Sequence, residues 1–269
     1  MTEARHVLLL SSSAVSYSEA ERGDSLLALL EQELNRQRSE VAWRCSGTVL
    51  YVTPDMAARA LNEVASAGPD IILLRPTSQA FMHDDVVSAI RYRWPRLYRT
   101  AVRIADTLRG WSGGERWGGA SARGLIFRIP RWVAIKLFGV APRVPVEQAA
   151  ECVKETLDSL LRLEDVDVLC QISVGNTPSG LPAREHARRR DYFTEALRSY
   201  CSARRIPFSD VREALKSHNL THTMARDQYH PARCARAVEA EQMAAQVVLA
   251  AVGRAPAPTG FSSNNRPTI

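Results

Sequence analysis

Arg5-His6-Val7-Leu8-Leu9-Leu10-Ser11-Ser12-Ser13 is the stretch on which the fold turns. Val7-Leu8-Leu9-Leu10 is a short apolar run between a basic pair and three serines. A secretory hydrophobic region needs roughly 7–15 apolar residues, so this run is too short for one and reads as a buried strand. Similar runs recur at 41–45, 71–74, 166–173 and 206–208, giving five predicted strands over residues 6–10 and these four. Longer helical patterns separate them. Residues 25–37 carry Leu26, Leu27, Leu30 and Leu34 at helical spacing, and residues 54–67 follow Thr53 as N-cap with Pro54 in the first helical position. Further helices are predicted over about 146–163, 181–203 and 231–252. Short strands alternating with helices specify an α/β fold: a three-layer α/β/α sandwich around a parallel five-stranded sheet.

The chain has 269 residues, 45% hydrophobic and 24% charged, enough to bury a core as one domain over residues 1–252. Cys45, Cys152, Cys170, Cys201 and Cys234 are scattered, odd in number and without CxxC spacing, which argues against a disulfide framework or a zinc site. A reducing compartment follows, and with no run near the ~18 apolar residues of a membrane span, a soluble cytoplasmic protein is expected. After Val252 the sequence is rich in Pro, Gly, Ser and Asn, so residues 253–269 read as a disordered tail.

Residues 81–145 interrupt the alternation. They hold Trp94, Trp111, Trp117 and Trp132, and twelve Arg/Lys against four acidic residues, a local balance of +8 within a formal net charge of +6. Inserted after a strand, such a segment suits a basic, aromatic substrate cap; a structural subdomain or an oligomer contact is the plainer alternative. Its charge would suit an acidic carrier protein or an anionic substrate, or simply face water. Nucleic acid is not expected as a partner, because tryptophans dominate and no recognised binding motif occurs.

The strongest chemical feature is Asp227-Gln228-Tyr229-His230-Pro231, just before the terminal helix. A carboxylate beside a histidine fixes the imidazole tautomer and stabilises the imidazolium formed when it takes a proton. Alone, the string also fits a surface aspartate and a helix-capping histidine. Together with Pro69-Asp70-Ile71-Ile72-Leu73-Leu74 and the segment Ser202-Ala203-Arg204-Arg205-Ile206-Pro207-Phe208-Ser209-Asp210-Val211, however, it resembles the SGNH/GDSL hydrolase family across most of residues 5–252 outside the insertion. That resemblance implies a flavodoxin-like sandwich and a serine nucleophile after the first strand. Ser13 stands there by position. The literal Gly23-Asp24-Ser25 twelve residues later abuts the leucine-patterned helix and reads as its N-terminal cap.

The resemblance further implies Asp227 and His230 as the acid and base, with the oxyanion held by the nucleophile's N–H, a second-block glycine and a third-block asparagine. Gly47 fits the glycine, and Gln79 stands where the asparagine would be; Ser12, where the family has aspartate, joins them as an oxyanion or substrate-binding residue. The implied activity is acyl transfer through Ser13 on an ester or thioester, small or carrier-bound, with an esterase, thioesterase or acyltransferase outcome and no metal or nucleotide cofactor. Ser12-Ser13 and Gln79 equally fit a chain that kept the fold as a binding or scaffold protein. Asn176 reads as loop structure, His218 and His222 lack metal-site company, and Arg188-Arg189-Arg190 reads as a solvated helix face.

Overall fold

The structure, a computed structural model, describes residues 4–11, 25–38, 40–76, 79–82, 84–100, 103, 136–137, 141–172, 183–220 and 232–253. Five strands, β1 (Arg5–Ser11), β2 (Trp43–Val49), β3 (Ile71–Leu74), β6 (Asp167–Ile172) and β7 (Phe208–Asp210), form one all-parallel sheet in the order β2-β1-β3-β6-β7. The expected sandwich is therefore present. Side chains alternate across it with the period of two that a strand imposes. Leu8, Leu10, Ile72, Leu74, Val168, Cys170 and Ile172 pack on one face against α2 (Met56–Ala67), α5 (Val146–Leu160) and α6 (Ala183–Arg204). Val7, Leu9, Ile71, Leu73 and Leu169 pack on the other, against α1 (Leu26–Gln37) and α8 (Arg233–Gly253).

Several boundaries differ from the sequence reading, each for a local reason. Strand β2 runs four residues beyond Cys45, because as an edge strand it needs only β1 to pair with, and β1 offers partners as far as Ser11 opposite Val49. Residues 53–55 form a turn, with the Met56 N–H on the Thr53 carbonyl at 3.0 Å, so α2 starts two residues after Pro54 and Asp55 is its N-cap. It ends at Gly68, whose φ of 56° is the left-handed C-cap that favours glycine. Strand β7 is shifted by two residues, and Asp210 at its end caps the unanticipated α7 (Val211–Ser217) through the Arg212 N–H.

Asp70 explains its place before β3. Its carboxylate accepts the His6 N–H at 2.7 Å and its own N–H donates to the His6 carbonyl at 2.9 Å, which locks β1 and β3 at their amino ends.

Within 81–145, α4 (Val86–Arg93) follows β4 (Asp84–Asp85), which pairs antiparallel with β5 (Ala141–Pro142). This short pair brings the two ends of the insertion together, and the Tyr92 hydroxyl donates to the Arg143 carbonyl beside it. Most of the insertion, and residues 254–269, lie outside the described residues. Among the described residues, no helix is long and apolar enough to cross a membrane.

Candidate active site

In open parallel sheets, ligands bind beyond the carboxyl ends of the strands where the strand order reverses. Here that point lies between β1 and β3, since the crossover from β1 goes outward to β2 and the later ones go the other way. Ser11 ends β1, and Arg75 follows Leu74 at the end of β3. Both side chains are buried. The Arg75 N–H donates to the Leu10 carbonyl at 2.8 Å, continuing the ladder by one residue. The guanidinium then turns to the α8 face, where Nε and Nη2 donate to Glu239 Oε1 at 2.9 and 2.5 Å and Nη1 donates to Ser11 Oγ at 2.9 Å.

Glu239 is a helix residue with 1% of its surface exposed, so its charge is compensated by Arg75 rather than by water. Taking two such charges out of water costs several kcal/mol per ion, and only close, well-bonded geometry offsets it. Arg236, one turn earlier on α8, is also fully buried. The register continues the polar row: Leu74 lies opposite Cys170, which puts Arg75 level with Gln171, and Gln171 lies opposite Ser209. Ser11, Arg75, Gln171 and Ser209 thus form one row across four strands, on the face covered by α8. Ser209 donates to Gln246 of α8 at 3.1 Å, while the Gln171 amide is buried without a hydrogen-bond partner among the described residues.

Two contacts fix the direction of α8. Glu239 meets the carboxyl end of the sheet, and Arg5 Nη1, at the amino end of β1, donates to the Ala251 carbonyl at 3.4 Å. Twelve helical residues rise about 18 Å, close to the ~20 Å that six strand steps span along β1. The helix therefore runs antiparallel to the strands and begins above their carboxyl edge.

Ser12, Ser13, Asp227 and His230 lie outside the described residues. Described chain lies close to each pair: Ser13 is two residues beyond Ser11, the end of β1, and His230 is three residues before Arg233, where α8 begins. Arg75 bonds to both flanking elements.

Gln79 opens α3 (Gln79–Met82), a single helical turn after β3. Phe81 is fully buried with its ring centroid 4.3 Å from that of Phe193 on α6, and Arg189 Nη1 donates to the Phe81 carbonyl at 3.0 Å. The turn carrying Gln79 is thereby held to α6. Arg189 corrects the reading of its triplet as a solvated face, because it is 9% exposed; Arg188 faces solvent and pairs with Glu185.

Gly47 lies inside β2 opposite Leu9, two residues before the strand's end, rather than in a loop. The Trp43 and Cys45 N–H groups point away from β1, to Asn35 Oδ1 and Glu31 Oε2 on α1. Strand alternation turns the Gly47 N–H to that same outer edge. It is not brought together with the end of β1.

Ser25 is the N-cap of α1, with Oγ accepting the Ala28 N–H at 3.2 Å, as its place before the leucine run suggests. Cys45 and Cys170 offer little as nucleophiles. Burial, with the Glu31 carboxylate nearby, pushes the Cys45 thiol up to about 12, and a hydrogen bond with Cys201 together with burial raises Cys170 well above its ordinary range. His218 is the C-cap of α7, its Nδ1 2.9 Å from the Ala214 carbonyl oxygen. A small cleft of about 170 Å³ lined by Arg5, Trp43 and Val248 lies at the amino edge, away from the polar row, and is below the size of ordinary ligand pockets.

No family model matches the chain, and no curated protein matches it by sequence. Solved structures do match. LAE5, an alpha/beta hydrolase enzyme from the metagenome of Lake Arreo, aligns over 92% of this chain and 97% of its own at 15% identity and a TM-score of 0.54. A mutant of Axe2, an acetyl-xylooligosaccharide esterase from Geobacillus, aligns over 91% and 95% at 12% identity and 0.54. TesA aligns over 89% and 97% at 13% identity and 0.50. The chain has the fold of these hydrolases. At such identities the likeness speaks for the fold, and the site must be argued from this chain's own residues.

Proposed function

We propose that the chain is a serine-dependent acyl-ester or thioester hydrolase or acyltransferase with Ser13 as nucleophile, His230 as base and Asp227 orienting the imidazole. Ser13 Oγ attacks the substrate carbonyl carbon as His230 takes its proton. The tetrahedral intermediate collapses to an acyl-serine, and His230 returns the proton to the departing alcohol or thiol. Water or another nucleophile, deprotonated by the same histidine, then attacks the acyl-serine and frees Ser13. The Ser13 N–H and the Gln79 amide serve the oxyanion, with Ser12 beside them. Gly47, facing the outer edge of β2, receives no role.

The observation that carries this reading is Arg75, which bonds the strand end leading to Ser13 and the helix following His230 at the one point of the sheet where its order reverses. Similar folds support it too. Catalytic mutants of Axe2 replacing a serine, an aspartate or a histidine are among the matching structures, and that aspartate and histidine are three positions apart, the spacing of Asp227 and His230.

For the substrate, exposed Tyr92, Trp94 and Leu97 interleaved with exposed Arg91, Arg93, Arg96 and Arg99 favour an apolar acyl group on an anionic or acidic carrier. The test is turnover of short and medium acyl p-nitrophenyl esters by the wild type, Ser13→Ala and His230→Ala. Each variant should lose about 10³-fold or more in kcat/KM while keeping its fold. A folded wild type that turns over none of these esters would favour a binding protein instead.

A further inference from the structure

Arg75 occupies a position where an apolar residue would be the simpler choice. It follows Ile71-Ile72-Leu73-Leu74, is 5% exposed, and is neutralised by a glutamate brought from 164 residues away. A buried ion pair is commonly no more stabilising than a well-packed apolar pair of the same volume. What an apolar pair lacks is direction. A planar guanidinium with bonds from Nε, Nη1 and Nη2 fixes the distances and angles among its partners.

Those partners are the parts that the proposed chemistry must align. Ser11 is held three ways: its hydroxyl by Arg75 at 2.9 Å, its carbonyl by the Leu50 N–H at 2.6 Å, and the preceding carbonyl by the Arg75 N–H at 2.8 Å. Glu239 fixes α8 against the same guanidinium. Arg75 itself begins the segment that leads to Gln79. With all three of its nitrogens bonded to these partners and its side chain buried, Arg75 is placed to act through Ser11 and Glu239.

We propose that Arg75 is the positioning residue of the active site, its fork setting the strand end that leads to Ser13 against the helix that follows His230, with Glu239 and Ser11 as its two anchors. This rests on the serine-hydrolase reading above. Misplacing reacting groups by about 1 Å can cost about 10²-fold in rate, even when the displaced contact lies outside the chemistry.

The experiment compares wild type, the apolar replacement Arg75→Met/Glu239→Leu, and Ser11→Ala, which cuts one arm and leaves the ion pair. The readouts are kcat and KM on a p-nitrophenyl ester, the rate of fluorophosphonate labelling, and the thermal midpoint. The double variant should keep its midpoint and KM within about threefold, while kcat and the labelling rate fall together by about 10²-fold. Ser11→Ala should show the same split at about tenfold. A merely structural pair would move the midpoint and leave kcat per folded molecule alone. Wild-type kcat and labelling in a folded double variant would overturn the positioning role while leaving the hydrolase intact; should that variant not fold, wild-type values in Ser11→Ala decide the same way. A wild type that neither labels nor turns over ester overturns the hydrolase reading, and this proposal with it.

Discussion

On the face covered by α2, α5 and α6, the central strands present Leu8, Leu10, Ile72, Leu74, Val168, Cys170 and Ile172, apolar from the amino edge to the carboxyl edge. On the face covered by α1 and α8, the same strands present Val7, Leu9, Ile71, Leu73 and Leu169, and then change to Ser11, Arg75, Gln171 and Ser209 in one row. One face is a core throughout. The other is a core with a buried polar layer at the end where ligands bind in such sheets, and that layer has a stability cost that packing alone would not require.

Removing one charge from the polar face should have the largest effect. Arg75→Met leaves Glu239 buried without its cation and should destabilise by about 3–5 kcal/mol, measured by urea unfolding, with most of the loss recovered in Arg75→Met/Glu239→Leu. If the single variant were as stable as the double, the pair would not be the buried unit described here. On the apolar face, Leu157→Ala in α5 should cost about 2–5 kcal/mol through the cavity it leaves, with activity per folded molecule unchanged. Together the two variants separate a face that stabilises from one that also directs chemistry.

Gln171 sharpens the contrast in the opposite direction. Its buried amide, unpartnered among the described residues, makes Gln171→Met an expected gain of about 1–2 kcal/mol, read as a higher urea midpoint. A loss would mean that the amide has a partner in the working protein. Ser25→Ala should cost about 1 kcal/mol by removing the cap of α1, and should leave esterase activity intact.

The smallest effect concerns Glu185 at the start of α6, whose carboxyl Arg188 first and Arg189 second hold down to about 2. A depressed folded value stabilises above the ordinary carboxylate range and is lost as pH falls through it. The stability difference between wild type and Glu185→Gln should therefore persist at pH 6 and shrink from about pH 4.5 toward 2, followed by urea midpoints across that window. A constant difference would remove the linkage.

The sheet was legible because its signal is redundant. Four apolar residues in a row, repeated with helical spacers, allow few other folds, and the leucines of α1 and its Ser25 cap read correctly for the same reason. The end of β2 was not legible, since Ser46 and Gly47 interrupt the strand signal before Thr48 and Val49, and pairing with β1 carries the strand across them.

The Arg75–Glu239 pair escaped the sequence reading because each residue alone looks like surface charge. Two signals pointed inward. Arg75 continues an apolar strand by one residue, and Arg236, Glu239, Ala240, Met243 and Val247 share one face of α8 at three- and four-residue spacing, all buried. Which cation meets which carboxylate across 164 residues is set by topology, which single-residue patterns do not encode.

The most direct test of the account is to incubate the folded protein with a fluorophosphonate probe and map the modified peptide by mass spectrometry. Labelling at Ser13 that disappears in His230→Ala is the predicted result. Labelling at Ser25, or at no serine, would contradict it.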